Sequence, residues 1–244
     1  MPQLSGGGVT PYKWQESGRM VPDIAALVEQ EARALLERMD IHAPPVDAYL
    51  IANKLGLTVQ IDPHLKTRGY SRTRWDMGTI VVSSQNPNKS ERKQFTIAHE
   101  IGEVSLKGRV EEAHLEGASN LMAINLLLPG EWFKRDAEGS GFDLLRLKKT
   151  YSTASHELIA FRMLEFRPMI VTIFDNGSLY KRKSSYPFTV RPSYPLESQC
   201  LRDVTLRGEK VSLKDEEISV VGWPVFREDW KRVIFKTQFV GTGL

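Results

Sequence analysis

The sequence predicts an α+β fold, because helical and strand patterns occupy separate parts of the chain. Apolar residues recur at helical spacing in residues 24–39 and 91–106, whereas strand-like segments occupy residues 57–61 and 79–82 and return beyond Pro168. Of the 244 residues, 41% are hydrophobic and 26% are charged, a balance that excludes disordered, collagen-like and disulfide-scaffold proteins. This length accommodates one large domain, or a core of about 150 residues with a smaller attachment.

The N-terminal part is predicted to contain a leader, two helices and two strands. Residues 1–20 include three consecutive glycines and are expected to form a flexible leader. Pro22 and Asp23 precede the first helix, and a short second helix should end at Gly56, since glycine is favoured just after helix C-termini. The two strand-like segments follow that glycine.

The middle of the chain is predicted to be helical. Ser90 is a good N-cap for a largely buried helix over residues 91–106, and a further helix covers residues 111–128. Two short amphipathic helices, residues 143–151 and 155–166, are joined by a turn and resemble a helix-turn-helix.

The C-terminal part is predicted to be a small β-rich region. Residues 169–180 should form a β-hairpin, because the Asn176-Gly177 pair supplies the positive φ angles of a tight turn. Short strands and loops are expected in the rest of the chain. Its aromatic residues could belong either to a core or to a contact surface, and they are Tyr186, Tyr194, Trp223 and Trp230.

Several classes of location and chemistry are excluded by composition. No apolar run approaches the roughly 18 residues that a membrane span needs, and the N-terminus lacks a secretory signal, so we expect a cytoplasmic protein without a membrane partner. A single cysteine, Cys200, cannot form an internal disulfide or a cysteine metal cluster, so any metal must be bound by His, Asp or Glu. With 33 basic and 30 acidic residues, the net charge gives no argument for nucleic acid.

The segment His99-Glu100-Ile101-Gly102-Glu103 carries the most informative chemistry of the sequence. Positions four apart on a helix lie about 40° apart around its axis, so His99 and Glu103 point to the same side and can reach one ion. Glu100 would project beside that ion and could take a proton from a water molecule, as in the H-E-x-x-H helix of metalloproteases. By itself H-E-x-x-E is common by chance, and such charges usually form a solvated helix face.

Two longer motifs resemble the ImmA/IrrE family of metallopeptidases. Residues 91–103, ERKQFTIAHEIGE, resemble the family's RxRFTxAHExGH helix, and residues 116–129, EGASNLMAINLLLP, are similar to its ExxANxFAAxLLxP helix. Together with weaker upstream matches, the resemblance covers residues 21–166. It implies a zincin-like metallopeptidase core. The predicted segments are then a leader (1–20), this metallopeptidase-like core (21–141), the helix-turn-helix-like pair (142–167) and the β-rich C-terminal region (168–244).

The resemblance also implies roles for individual residues. His99 and Glu116 would be metal ligands, Glu100 the catalytic general base, and Asn120 a hydrogen-bond partner that orients a ligand. Glu103 takes the position of the family's second histidine and would be the third ligand. The Glu residues around His99 would repel one another strongly, and a divalent ion is the simplest way to relieve that repulsion.

The glutamate at position 103 bears on the identity of the metal. Two carboxylates and one imidazole form a harder ligand set than two imidazoles and one carboxylate, so bound zinc would be a weaker Lewis acid. We expect one divalent ion, zinc first, with manganese and iron as alternatives. His114 lies about 200° away from Glu116 around the predicted helix and should face elsewhere.

These residues and the resemblance imply a metal-dependent endopeptidase acting on a cytoplasmic protein. By family analogy, the substrate would be a DNA-binding transcriptional repressor in a stress or mobile-element response. The alternative is a non-catalytic relative that acts as a regulatory module on a repressor or on DNA. Direct DNA binding stays open, but Leu158, Ile159 and Phe161 make the second helix of the pair mostly apolar, which favours a packing role.

Overall fold

The structure is a computed structural model that describes residues 22–62, 72–74, 78–83 and 90–241. The predicted leader, residues 1–20, lies outside this range. The chain divides into two units, the first comprising residues up to Phe133 together with Tyr151–Ala154, and the second comprising Lys134–Thr150 and Ser155–Leu244. The four segments predicted from the sequence stay a prediction. No helix within the described ranges is long and apolar enough to cross a membrane.

The described residues of the first unit form four complete helices. In chain order they are α1 (Pro22–Arg38), α2 (Ala48–Lys54), α3 (Ser90–Leu106) and α4 (Glu112–Leu127). Gly56 follows α2 with φ of +74°, as the predicted helix end requires. The predicted helices therefore form, with boundaries within two residues of those expected.

A three-stranded sheet completes the described part of the first unit. It consists of β1 (Thr58–Asp62), β2 (Arg72–Arg74) and β3 (Thr79–Ser83) in the order β1-β3-β2. β3 pairs in parallel with β1 and antiparallel with β2. The two strands predicted from the sequence are β1 and β3.

The start of α3 is fixed to the start of α2 by Gln94. This buried side chain accepts a hydrogen bond from the backbone N–H of Ala48 at 2.7 Å and donates one to Asp47 Oδ1 at 2.8 Å. Asp47 is the N-cap of α2, and the same carboxylate accepts from the N–H of Tyr49. These bonds hold in place the helix that carries His99.

Helices α3 and α4 approach closely at Gly102. A Cβ atom at this position would lie 2.9 Å from Met122 Cβ and 3.1 Å from both the Cα and the carbonyl oxygen of Ser119. Only glycine leaves room for that approach. Since His99 and Glu103 flank Gly102 on α3, the glycine sets the distance between these side chains and α4.

Three further helices follow α4 along the chain before the second sheet begins. Helix α5 (Gly130–Gly139) includes the boundary between the units, and α6 (Leu144–Thr150) and α7 (His156–Met163) follow it. α6 and α7 are the two helices of the predicted pair. All residues of α7 from Glu157 to Met163 are buried, so no row of exposed polar side chains is available on it for reading DNA.

The second unit also contains a five-stranded antiparallel sheet. Its strands are β4 (Ile170–Asp175), β5 (Ser178–Ser184), β6 (Val211–Lys214), β7 (Ile218–Arg227) and β8 (Trp230–Phe239), in the order β5-β4-β8-β7-β6. The predicted hairpin is confirmed: β4 and β5 pair antiparallel around Asn176 and Gly177, which have φ of +50° and +81°.

The prediction of strands and loops after the hairpin is wrong for Pro195–Arg207, which form helix α8. α8 packs on the sheet through Cys200 and Val204, and Gly208 ends it with φ of +67°. Three of the aromatic residues left open by the sequence lie in the core: Tyr186, Tyr194 and Trp223.

Candidate metal centre

Three of the predicted site residues come together between α3 and α4. His99 and Glu103 lie one turn apart on α3, and Glu116 lies in the second turn of α4. Each offers one ligand atom, and these three atoms are within 4.8 Å of one another. His99 Nε2 is 3.7 Å from Glu103 Oε1 and 3.5 Å from Glu116 Oε2.

These separations suit a shared ion better than direct hydrogen bonds. Hydrogen bonds between nitrogen and oxygen usually measure about 2.7–3.2 Å, so 3.5 and 3.7 Å are long. Ligand atoms about 2.1 Å from a tetrahedral ion are about 3.4 Å apart. One imidazole nitrogen and two carboxylate oxygens also form a donor set that zinc, manganese and iron accept. The residues present therefore fit a divalent ion.

The site opens to solvent on the side of α4. The side chain of His99 is 13% exposed and that of Glu103 is 29% exposed, whereas that of Glu116 is 76% exposed. A water molecule or a polypeptide can thus reach the cluster from that side.

Asn120 connects two members of the cluster. Its Oδ1 accepts a hydrogen bond from His99 Nδ1 at 3.1 Å, and its Nδ2 donates to Glu116 Oε1 at 3.2 Å and to the Glu116 carbonyl oxygen at 2.9 Å. Because an amide oxygen only accepts, the hydrogen of this bond belongs to Nδ1. The other ring nitrogen, Nε2, is then the one that faces the two carboxylates.

The charges of the cluster are strongly coupled. Burial lowers the pKa of His99, but the contacts with Glu103 and Glu116 outweigh it and raise that pKa from 6.5 to about 10. The pKa of Glu116 is lowered, first by its contact with His99, against the opposing effect of burial. Without an ion, the cluster is thus held together by an imidazolium between carboxylates.

Glu100 lies close to this cluster without joining the three converging ligand atoms. It is buried, with 5% of its surface exposed. Its negative charge contributes to the raised pKa of His99. Glu100 is therefore a buried carboxylate whose charge acts on His99.

Two histidines of the first unit, His114 and His42, lie outside the cluster. His114 lies in the first turn of α4 and is not among the converging side chains. His42 lies in a loop and contacts Asp40 at 2.7 Å. The sequence did not identify Ser119 and Met122 as the residues that face Gly102, because that pairing joins distant parts of the chain. The glycine inside α3 is the local sequence feature that corresponds to this contact.

The chain is similar to known proteins both in sequence and in structure. The family model Peptidase_M78, IrrE N-terminal-like domain, matches residues 52–164, which confirms the resemblance to the ImmA/IrrE family. Among curated proteins, none matches the chain significantly. The structure is similar to that of a Mycobacterium tuberculosis transcriptional regulator, with a TM-score of 0.65 and 18% sequence identity over 93% of this chain and 80% of that chain. At that identity the similarity shows a shared mixed helix and strand fold.

Proposed function

We propose that the chain is a metal-dependent endopeptidase, because residues 52–164 match the IrrE N-terminal-like domain of the Peptidase_M78 family. Its substrate would be a cytoplasmic protein, and by family analogy a DNA-binding repressor in a stress or mobile-element response. The observation that carries the proposal is the convergence of His99, Glu103 and Glu116 at separations suited to one ion.

In this proposal each side chain of the cluster has a distinct task. His99 Nε2, Glu103 and Glu116 would hold a divalent ion, which when bound would supply Lewis acidity toward a water molecule and the scissile carbonyl. Asn120 would keep the hydrogen of the imidazole on Nδ1 and steady the carboxylate of Glu116, as its hydrogen bonds support.

Glu100 would move the proton. As a carboxylate beside the ion, it would accept a proton from the attacking water and pass it to the nitrogen of the leaving amine. Its burial supports this task, because a low local dielectric strengthens its interaction with the reacting groups.

Two variants test the proposal against purified repressors encoded near this protein. Glu100→Gln should lower cleavage about 10²- to 10⁴-fold and leave bound metal unchanged. Glu116→Gln should lose both metal and cleavage, whereas Glu112→Gln, an exposed acid on the same helix, should lose neither. Metal content after dialysis is measured by elemental analysis. Retention of wild-type metal by Glu116→Gln would refute the ligand set, and full activity of Glu100→Gln would refute its role as base.

A second candidate function is a non-catalytic regulatory module. Glu103 at the position of the family's second histidine favours it, and the transcriptional regulator of similar fold is consistent with it. Glu100 argues for the peptidase, since a purely structural ion has no need of a further carboxylate beside it. A metal-loaded protein that binds its repressor but cleaves nothing with zinc, manganese or iron would establish this second function.

A further inference from the structure

A cavity of about 290 Å³ lies in the first unit. Its walls come from α1, the segment between α2 and β1, and the C-terminal part of α3, and α4 contributes one side chain. Its volume lies just below the range for small-molecule sites, about 300–1,000 Å³. None of its lining residues is a proposed metal ligand.

Six of the ten residues that line the cavity are apolar. The apolar lining residues are Ala34, Leu35, Leu55, Leu57, Val104 and Met122. Leu35 and Met122 are buried, whereas Leu55, Leu57 and Val104 are half-buried. These six side chains offer apolar contacts to a hydrocarbon or ring.

The polar part of the lining is positively charged. Glu31 forms a two-pronged ion pair with Arg109, with separations of 2.5 and 2.8 Å. Arg38 also lines the cavity and is close enough to help lower the pKa of Glu31. Within the described part of the chain, however, Arg38 forms no hydrogen bond or short ion pair. Two guanidinium groups against one carboxylate leave the rim with one positive charge in excess.

We propose that this cavity binds a small carboxylate with an apolar body. The hydrocarbon would lie against Leu35, Leu57 and Met122, and the carboxylate would pair with Arg38, whose planar guanidinium can bind both oxygens. A neutral ligand of the same shape would leave Arg38 without this partner. An amine would be repelled by the excess charge.

The proposal is independent of the proposed peptidase activity. Its residues and the metal ligands are separate sets, so binding can be measured on protein with or without an ion. The cavity does contact both helices of the metal centre, through Val104 on α3 and Met122 on α4. A bound ligand would therefore be detected by a probe on Met122.

Octanoate is a suitable probe, because it combines one carboxylate with a chain of the right size. The full-length protein is labelled with ¹³C at its methionine methyl groups, and the Met122 signal is assigned from its absence in Met122→Leu. We expect octanoate to shift this signal with a saturable dependence and a Kd on the order of 1 mM. Octanol and octylammonium at equal concentration should give no saturable shift.

Two variants and a control identify the residues responsible. Arg38→Ala should weaken octanoate binding about tenfold or more, since a charge-assisted hydrogen bond is lost. Ala34→Phe should weaken it by filling the cavity from the rim. Arg33→Ala, on the same helix but outside the cavity, should bind like the wild type, because Arg33 pairs with Glu131 at 3.7 Å and does not line the cavity.

Three results would overturn the proposal. One is the absence of a saturable shift with octanoate in the folded protein. Another is equal binding of octanoate and octylammonium, which would remove the role of charge. The last is equal affinity of Arg38→Ala and Arg33→Ala for octanoate, which would show that the carboxylate of octanoate does not pair with Arg38.

Discussion

Gly102 provides the most direct test of how the metal centre is built, through the substitution Gly102→Ala. The added Cβ would meet Met122 Cβ at 2.9 Å and the backbone of Ser119 at 3.1 Å. None of these atoms is the free end of a flexible side chain, so α3 and α4 must move apart to admit it. This displacement should lower the free energy of unfolding and separate His99 from Glu116.

The magnitude follows from two opposing effects. Overpacking of a tight contact typically lowers the free energy of unfolding by about 1–3 kcal/mol. Replacing glycine by alanine inside a helix raises it by about 1 kcal/mol, because alanine has the higher helix propensity. Gly139→Ala isolates the second effect, because Gly139 ends α5 and a Cβ there would contact nothing within 4 Å. The difference between the two variants should therefore be about 1–3 kcal/mol, with Gly102→Ala the less stable.

The assay is unfolding in urea with a chelator present, so that metal binding does not contribute to stability. Metal affinity is then measured separately by calorimetry, and Gly102→Ala should bind more weakly than both the wild type and Gly139→Ala. Equal stabilisation by the two alanines would refute the close contact. A destabilised Gly102→Ala with unchanged metal affinity would refute the claim that this contact sets the spacing of the ligands.

Two further predictions concern charged groups. The raised pKa of His99, about 10 instead of 6.5, means that its imidazolium stabilises the metal-free fold fully below pH 6.5 and that this contribution is lost as the pH rises through 10. Metal binding at a pH between 6.5 and 10 should thus release about one proton from His99. Calorimetry in buffers of different ionisation enthalpy measures this release, and its absence would contradict the raised pKa. In the second unit, the buried Glu197 accepts hydrogen bonds from Arg182 at 2.9 Å and Thr237 at 2.7 Å, so Glu197→Ala should cost about 3–5 kcal/mol. Glu217→Ala, which removes an exposed pair, should cost under about 1 kcal/mol in the same urea titration, and similar costs for both would refute the buried network.

Local patterns in the sequence predicted the elements that depend on local chemistry. Asn176-Gly177 adopts the positive φ angles that its hairpin needs, and Gly56 ends α2 as expected. The same holds for His99 and Glu103, whose spacing of four residues places them on one side of α3 whatever the rest of the fold does. Predictions of this kind need only the geometry of one helix or one turn.

The hydrophobic periodicity of the sequence could not predict features that depend on contacts between distant parts of the chain. α8 was missed because its buried stripe is narrow and includes Glu197, a charged residue that is tolerated there only through Arg182 and Thr237. The order β5-β4-β8-β7-β6 places Ile170 beside Thr237, a pairing that no local pattern announces. Glu116 lies on a second helix, so its position beside His99 also depends on a distant contact. It was therefore predicted as a ligand only through the family resemblance.

Glu103 distinguishes between the two proposed functions, and Glu103→His tests it. Its Oε1 lies 3.7 Å from His99 Nε2, and 29% of the side chain is exposed, so an imidazole can occupy the same side of α3. The substitution would change the donor set from one imidazole and two carboxylates to two imidazoles and one carboxylate. If Glu103 is a ligand, the preference for zinc over manganese should rise by about tenfold or more, because imidazole suits zinc and carboxylate suits manganese.

The measurement is the affinity of three forms for both metals, determined by competition with a chelator. Glu103→Gln is the matched control, because it keeps the size of the side chain and removes its charge, and it should bind both metals more weakly. Equal affinities in all three forms would show that Glu103 is not a ligand. Cleavage of the repressor by the native protein and by Glu103→His then separates the functions: activity in both forms supports the peptidase. Activity that appears only with histidine would mean that the glutamate silences the site, and the native protein would then act as a regulatory module.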